Sequence, residues 1–476
     1  MTRVRTRFAP SPTGRLHLGN LRIAVFNQLF ARHHGGDFVV RVEDTDAGRT
    51  QEGSLEAILD DLRWAGLEWD EGPERPGAFA PYFQSEREPL HRAAAERLYA
   101  AGHAYLCFCD EASIERARAD PEVVGPGCPG GCRELPGQVA AQRRDAGESP
   151  TLRFAVPDDT ITIEDRVRGE VTFHGRDVSD FVVLRADGRP TYNLAVVVDD
   201  IAMEISHVIR GAGHLSNTPK QHLLFLALDA QPPVFAHLPT VLGEDRRKLS
   251  KREGSAALTE LRERGFHPDG VVNYVSLLGW SPGDDREILT RDELIGAMTL
   301  DRVGASDTVF DPEKLLWCSE QHIALMSLEE VTEAVRPFIV PADVPIETER
   351  LPLAVDAVRT RLRTFSDIMP ALELLYPGKD RLRDGWGEIL AEEGSGEAIV
   401  AEIRSALAEV DPFTPETVNR RIRERGKEIG ARGPSLFHPV RLALMGTRSG
   451  PDMGGIMVAL GRDEVLRRLR PHASGV

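Results

Sequence analysis

Apolar and polar positions along the chain change their rhythm twice. In the first stretch, short apolar runs alternate with segments of helical period. Val4–Phe8 reads as a strand. Leu21–His33 carries apolar residues at Leu21, Ala24, Val25, Leu29 and Ala31, the spacing of a helix, and Gly35-Gly36 stop it. Phe38–Val42 reads as a buried strand that runs into Glu43-Asp44-Thr45-Asp46. Strand, helix and strand in this order predict a βαβ unit and a parallel sheet, whose ligands gather at the carboxyl ends of the strands. Ser54–Ala65 and Glu88–Ala101 are two further helices around a Gly- and Pro-rich loop, Glu71–Phe83.

The rhythm then shifts. Cys107–Gly137 is rich in Cys, Pro and Gly, and Thr151–Val156, Thr160–Ile163 and Val171–His174 alternate like strands. An insertion with its own small sheet is expected, running to about Arg185. Thr191–Asp199 is continuously apolar and reads as a strand ending in Asp199-Asp200. Ile205–Ile209 reads as another, ending in Arg210-Gly211, and Pro219–Leu228 as a helix. The parallel-sheet domain therefore resumes after the insertion. Beyond Leu242 comes a polar, basic loop. Beyond about Ser319 the period is helical almost throughout, over Leu328–Val340, Leu353–Leu375, Gly396–Val410, Pro415–Gly426 and Asp463–Arg470. No internal repeat or low-complexity run interrupts this order.

Composition narrows the class. The chain has 476 residues, room for several domains, and 41% hydrophobic content, ordinary for a globular protein. The opening MTRVRTRFAP lacks a hydrophobic signal segment, and no apolar run is long enough to span a bilayer. A cytoplasmic protein without membrane contact is expected. A net charge of −17 excludes broad, sequence-blind nucleic-acid binding but leaves room for a defined RNA met by local basic patches. Of five cysteines, four lie in one window as Cys107-x-Cys109 and Cys128-x3-Cys132. That is too few for a disulfide scaffold and points to tetrahedral Zn2+ in a structural role. Glu134 is an alternative to one thiolate. Cys318 stands alone and reads as a core residue.

Two stretches carry the chemistry. Between the first strand and helix, Arg7–Asn20 (RFAPSPTGRLHLGN) holds Ser11, Thr13, Gly14, His17 and Gly19. A strand–loop–helix junction offers backbone N–H groups and a positive helix end to a phosphate, and an imidazole there can donate to charge developing on it. Far along the chain, Lys248-Leu249-Ser250-Lys251-Arg252 places two cations around a serine in a loop able to close over a triphosphate.

Together these blocks carry a resemblance. Ser11–Asn20 resembles the HIGH signature of class I aminoacyl-tRNA synthetases, and Lys248–Arg252 looks like their KMSKS loop. RFAPSPTG, Glu43-Asp44-Thr45-Asp46, Gln84-Ser85-Glu86-Arg87, Thr191-Tyr192-Asn193, Val208-Ile209-Arg210-Gly211 and Asn217-Thr218-Pro219-Lys220-Gln221 are similar to the glutamyl-tRNA synthetase family, from about Thr2 to Arg470. The resemblance implies an α/β fold: a Rossmann-like catalytic domain (residues 1–105 and 186–242) with an inserted α+β acceptor-binding subdomain (106–185). A KMSKS-loop and stem-contact region (243–320) and an all-helical anticodon-binding domain (321–476) would follow.

It further implies activation of L-glutamate with ATP and Mg2+ and transfer of the glutamyl group to the terminal adenosine 2′-hydroxyl of tRNA(Glu), by a monomer. By the same resemblance His17, Lys248 and Lys251 are catalytic, and Gly19, Asn20 and Ser250 join them around ATP. Arg7, Ser11, Glu43, Tyr192 and Arg210 bind glutamate. Cys107, Cys109, Cys128 and Cys132 bind zinc, and Arg361 reads the anticodon. Two positions depart from the family: Asn20 replaces the last histidine of HIGH, and Ala212-Gly213 replace a usual acidic pair. A form that also charges tRNA(Gln), and a noncatalytic tRNA-binding relative, are the alternatives. A truncated relative would lack the helical tail, and a glutaminyl enzyme would have a β-barrel there.

Overall fold

The computed structural model describes residues 3–45, 51, 53–110, 112–113, 128, 130–247, 257–340, 346–391 and 395–470. These divide into two compact units, one of Met1–Glu260 with Val271–Pro312, the other of Leu261–Gly270 with Glu313–Val476. No helix among the described residues is long and apolar enough to cross a membrane.

The first unit is built on the expected βαβ start. Strand β1 (Arg5–Phe8) leads to helix α1 (Leu18–His33) and strand β2 (Asp37–Val40), which pairs with β1 in parallel, Arg5 opposite Asp37 and Phe8 opposite Val40. Helices α2 (Ser54–Trp64) and α3 (Glu88–Ala100) follow. Strands β3 (Ala104–Cys107), β4 (Thr151–Phe154), β5 (Thr160–Asp165), β6 (Gly169–His174) and β7 (Phe181–Leu184) belong to the insertion. Strands β8 (His207–Gly211) and β9 (Val234–Leu238) return to the parallel sheet, with Arg210 opposite His237.

The insertion does not keep all its strands to itself, as its sequence had led us to expect. Only β3, β4 and β7 form a separate antiparallel sheet. The β5–β6 hairpin instead extends the parallel sheet in the order β6-β5-β9-β8, joined where Asp165 pairs with Phe235. The reason is burial. β5 alternates exposed and buried, and Ile161 and Ile163 share one core with Leu98, Leu194, Val208 and Phe235. Each isoleucine so buried is worth roughly 1.5–3 kcal/mol, which a free-standing hairpin would forgo. On the other side of β8, the Ser206 N–H donates to the Arg5 carbonyl at 3.0 Å, which brings β1 alongside.

Thr191–Asp199 corrects the reading more sharply. It is the helix Tyr192–Ala202, not a strand, entered through an extended Thr191. Leu194 through Asp200 are all buried. A helix buried all round has no polar stripe, so its sequence cannot be told from a buried strand by period. The consequence is functional: Tyr192 stands at the start of this helix, and Asp199 and Asp200 lie about two turns further in.

The second unit is helical. Its cores gather Trp386, Ile403, Val440 and Ile456 in one cluster, and Val331, Val355, Leu362 and Leu372 in another. Leu328–Val340 is helical only to Val335, followed by a 3-10 turn over Arg336–Phe338 with Pro337 as its second residue. Leu353–Leu375 is two helices, Leu351–Val358 and Ile368–Leu375, because Asp367 Oδ2 accepts the N–H groups of Arg363 and Thr364 and starts a new cap. Helices Lys379–Ala391, Pro434–Met445 and Met453–Leu460 were not anticipated.

Candidate active site

The opening loop is held on both sides of Leu16. The Leu16 N–H donates to Asp61 Oδ2 of α2 at 3.3 Å, and the Leu16 carbonyl accepts from the Leu258 N–H at 3.1 Å. His17 is the N-cap of α1, with extended backbone, and its Nδ1 accepts from the Asn20 N–H at 3.3 Å. A neutral ring accepting at Nδ1 carries its proton on Nε2 and is a donor there. Gly19 leaves room for this seat, since a Cβ on it would lie 3.0 Å from His17 Cε1 and press on the ring. A cavity of about 530 Å3 opens beside the loop, lined by Thr13, Gly14, Arg15, His17, Ser54 and Ala257 among others. Lys248, Ser250 and Lys251 lie outside the described residues. The chain is described again at Ala257, which forms a β-bridge with His17.

The expected glutamate-site residues converge at the carboxyl ends of the strands. Arg7 comes from β1, Glu43 follows β2, Arg210 comes from β8, and Tyr192 opens its helix. Their charges act on one another: Tyr192 feels Glu43, Arg210 and Arg7, and Arg210 feels Tyr192, Arg7 and Glu43. Ser11 is exposed, on the loop that follows β1, with its carbonyl accepting from the Thr13 N–H. The Tyr192 hydroxyl pairs with His214 Nδ1 at 3.2 Å, and burial pushes the phenol up to about 12. Burial also raises the Glu43 carboxyl to about 7, against the pull of Arg41 and Arg7.

The two arginines sit differently. Arg7 is buried against a carboxylate, Nε to Asp200 Oδ1 at 3.2 Å. Among the described residues Arg210, 5% exposed, donates only to neutral atoms: Nε to His237 Nε2 at 3.1 Å, Nη1 to Gln221 Oε1 at 2.7 Å and Nη2 to Thr218 Oγ1 at 2.9 Å. Burial lowers its guanidinium to about 10, still charged at neutral pH.

Sequence reasoning missed the network beneath. Arg41, wholly buried, donates to Asp200 Oδ1 at 2.6 Å and lies 3.7 Å from Glu43. Burial opposes its charge, but Asp200, Asp199 and Glu43 outweigh burial and hold it above its ordinary value. Asp199 is held by Arg87 at 2.6 Å, by His91 Nε2 at 2.9 Å and by Gln84 at 2.9 Å. Asp44 accepts from both the N–H and the hydroxyl of Ser85. A signal was present: Arg41 stands inside the apolar run Phe38–Val42 and Asp199-Asp200 inside the apolar run from Leu194, so each charge had to find a buried partner.

The four cysteine sulfurs of Cys107, Cys109, Cys128 and Cys132 lie within 4.8 Å of one another, and Cys109 and Cys132 are 3.8 Å apart. A tetrahedron with Zn–S of about 2.3 Å has edges of about 3.8 Å, so the set fits a structural zinc ion. Glu134 is exposed and outside this set. Arg361 is exposed in the second unit; burial, helped less by Arg361, lowers the half-buried Arg441.

Comparison with known proteins agrees with this geometry. Residues 3–317 match the model for "tRNA synthetases class I (E and Q), catalytic domain", and residues 330–473 match "Anticodon binding domain". The chain is 43% identical to the glutamate–tRNA ligase of Desulforudis audaxviator, over 98% of this chain and 96% of that one. It is 39% identical to glutamate–tRNA ligase 1 of Caldicellulosiruptor saccharolyticus, over 98% of each. Among solved structures it matches a glutamate tRNA ligase from Elizabethkingia meningosepticum in complex with its amino acid, with TM-score 0.86, 31% identity and 98% of each chain covered. A parallel-sheet unit with a phosphate-type loop, a helical unit after it, and relatives of this similarity along nearly the whole length have one reading: the chain belongs to the class I tRNA synthetases of the E and Q type, in the glutamate–tRNA ligase family.

Proposed function

We propose that the protein activates L-glutamate with ATP to glutamyl-adenylate and transfers the glutamyl group to the terminal adenosine 2′-hydroxyl of tRNA(Glu), releasing pyrophosphate and AMP. The observation that carries the reading is Arg210, a buried guanidinium whose hydrogen-bond partners are all neutral, facing the same space as Arg7, Glu43 and Tyr192. A site with a cation that has no hydrogen-bonded anion among the described residues, a carboxylate and a phenol suits an amino acid that brings a second carboxylate. Arg210 and Arg7 take carboxylate oxygens, Glu43 takes the ammonium, and Ser11 and Tyr192 add hydroxyls.

The phosphate end is supported by the cavity at Thr13–His17 and by the bridge of His17 to Ala257, which brings the chain following Lys248–Arg252 to the loop. The glutamate carboxylate attacks the α-phosphorus and pyrophosphate leaves, so no covalent enzyme intermediate is needed and catalysis is positioning plus charge stabilisation. His17 donates to phosphate oxygens, Gly19 and Asn20 lie against the nucleotide, and Lys248, Ser250 and Lys251 hold the triphosphate. Mg2+ accompanies ATP and neutralises its charge. The four cysteines hold zinc, which stiffens the insertion that meets the tRNA acceptor end. The helical unit carries the anticodon contacts, Arg361 among them. The protein works in the cytoplasm as a monomer. Glutamate-dependent ATP–pyrophosphate exchange, with and without tRNA, tests the reading. Exchange is expected with tRNA(Glu), and its absence under both conditions would overturn it.

A further inference from the structure

Arg210 is not simply buried; it is held from behind by a chain of groups that begins in the insertion. Asp165, the last residue of β5, is buried and accepts four N–H groups. Its Oδ2 takes His237 Nδ1–H at 2.5 Å, and its Oδ1 takes the backbone N–H groups of Arg168 at 2.8 Å, Val167 at 3.0 Å and His237 at 3.2 Å. Burial works against its charge, but these hydrogen bonds outweigh burial and hold the carboxyl below its usual range.

His237 is wholly buried on β9, directly across from Arg210 in the parallel pairing. With its proton committed to Asp165 through Nδ1, the ring has one orientation and one tautomer, and its Nε2 lone pair faces the strand beside it. That lone pair accepts Arg210 Nε–H at 3.1 Å. Burial and the nearby guanidinium keep the imidazole neutral. Thr218 Oγ1, 3.0 Å from the same nitrogen, accepts Arg210 Nη2. The guanidinium is thus fixed in its plane by acceptors that do not cancel its charge. Asp165 is one residue further back, so its negative charge orients the imidazole without touching the arginine.

Resting on the glutamate-ligase reading above, we infer that Asp165 and His237 are positioning residues for substrate recognition: the pair fixes the plane of the Arg210 guanidinium while leaving its charge to the carboxylate of the amino acid. A carboxylate in direct contact with Arg210 would fix it equally well but would neutralise it, as Asp200 does for Arg7. An imidazole locked by a carboxylate separates the two tasks.

The test is steady-state pyrophosphate exchange in the presence of tRNA(Glu), with the Michaelis constants for glutamate and ATP measured separately. His237→Ala is expected to raise the glutamate KM about tenfold or more, the loss expected for a hydrogen bond to a charged group, with the ATP KM within twofold. His237→Gln, whose side-chain oxygen can replace the Nε2 acceptor, is expected to recover part of that loss. Asp165→Asn is expected to shift the glutamate KM in the same direction by less.

Thermal melting accompanies each variant. Should His237→Ala melt early, the near-isosteric Asp165→Asn carries the same comparison. Equal movement of both Michaelis constants, or movement of neither, in a variant that melts like the parent would overturn the inference, as would a Gln variant no better than Ala. Failure of the parent protein to exchange at all would instead sink the glutamate-ligase reading.

Discussion

Arg7 and Arg210 read alike in the sequence, as two arginines expected to bind the carboxylates of one substrate, yet they stand in opposite surroundings. Arg7 shares Asp200 with Arg41, in a network that also holds Asp199, Arg87 and His91. Arg210 has an imidazole, an amide and a hydroxyl as its hydrogen-bond partners. One wall of the site is electrically closed before substrate arrives, and the other is open. The lesson is that burial of a charge does not say what it is for; the charge of its partners does. An arginine already paired with a carboxylate has less charge to offer a ligand than a buried one among neutral dipoles.

The largest expected effect is on the open side. Arg210→Gln removes a buried charge whose hydrogen-bond partners among the described residues are all neutral, and glutamate-dependent exchange is expected to fall at least about a hundredfold in kcat/KM, the scale for truncating one partner of a buried charged pair. Its melting temperature is expected to hold or rise, because a buried cation with neutral partners is lost. Arg7→Gln should do the reverse in proportion. It weakens glutamate use less, and lowers stability by up to about 3 kcal/mol in urea unfolding, since Asp200 keeps only Arg41. If both variants melt alike, the contrast between the walls fails.

Glu43 acts on both arginines, and its titration sharpens the comparison. Burial raises its carboxyl to about 7. In the proposed role the ammonium needs the charged form, which forms as pH rises through that value. The glutamate KM is therefore expected to fall roughly fivefold to tenfold from pH 6 to pH 8. Glu43→Gln should have a high KM that no longer changes over that interval; a retained slope would assign the titration to another group. The smallest effect on this site is expected from the insertion. Cys109→Ser should remove zinc by elemental analysis and weaken tRNA use, with the glutamate KM moved less than twofold. Unchanged metal content would refute the ligand assignment.

The alternating first unit and the helical second were legible because period is a local property, and β1, α1 and β2 fall within a residue or a few of where their patterns place them. Tyr192–Ala202 was illegible for the converse reason: a helix with no solvent face leaves no period to read. The β5–β6 hairpin was assigned to the wrong sheet because alternation tells which face is buried, not against what. In the site, Arg7, Glu43, Tyr192 and Arg210 were named through motif resemblance. Their surroundings were not, since Asp200 lies 193 residues from Arg7 and 159 from Arg41. No spacing rule reaches that far. Of the neutral cradle of Arg210, Thr218 and Gln221 lie 8 and 11 residues along the chain, while His237 on β9 and Asp165 behind it are brought in by topology.

The most direct measurement compares glutamate with glutamine in tRNA-dependent exchange, for the parent and for Arg210→Gln. Glutamine has the same shape and lacks only the negative charge. If Arg210 is the open cation of this site, the substitution lowers kcat/KM for glutamate and leaves that for glutamine within a few-fold, so the preference for glutamate falls by about two orders of magnitude. A preference that survives the loss of Arg210 would contradict the account.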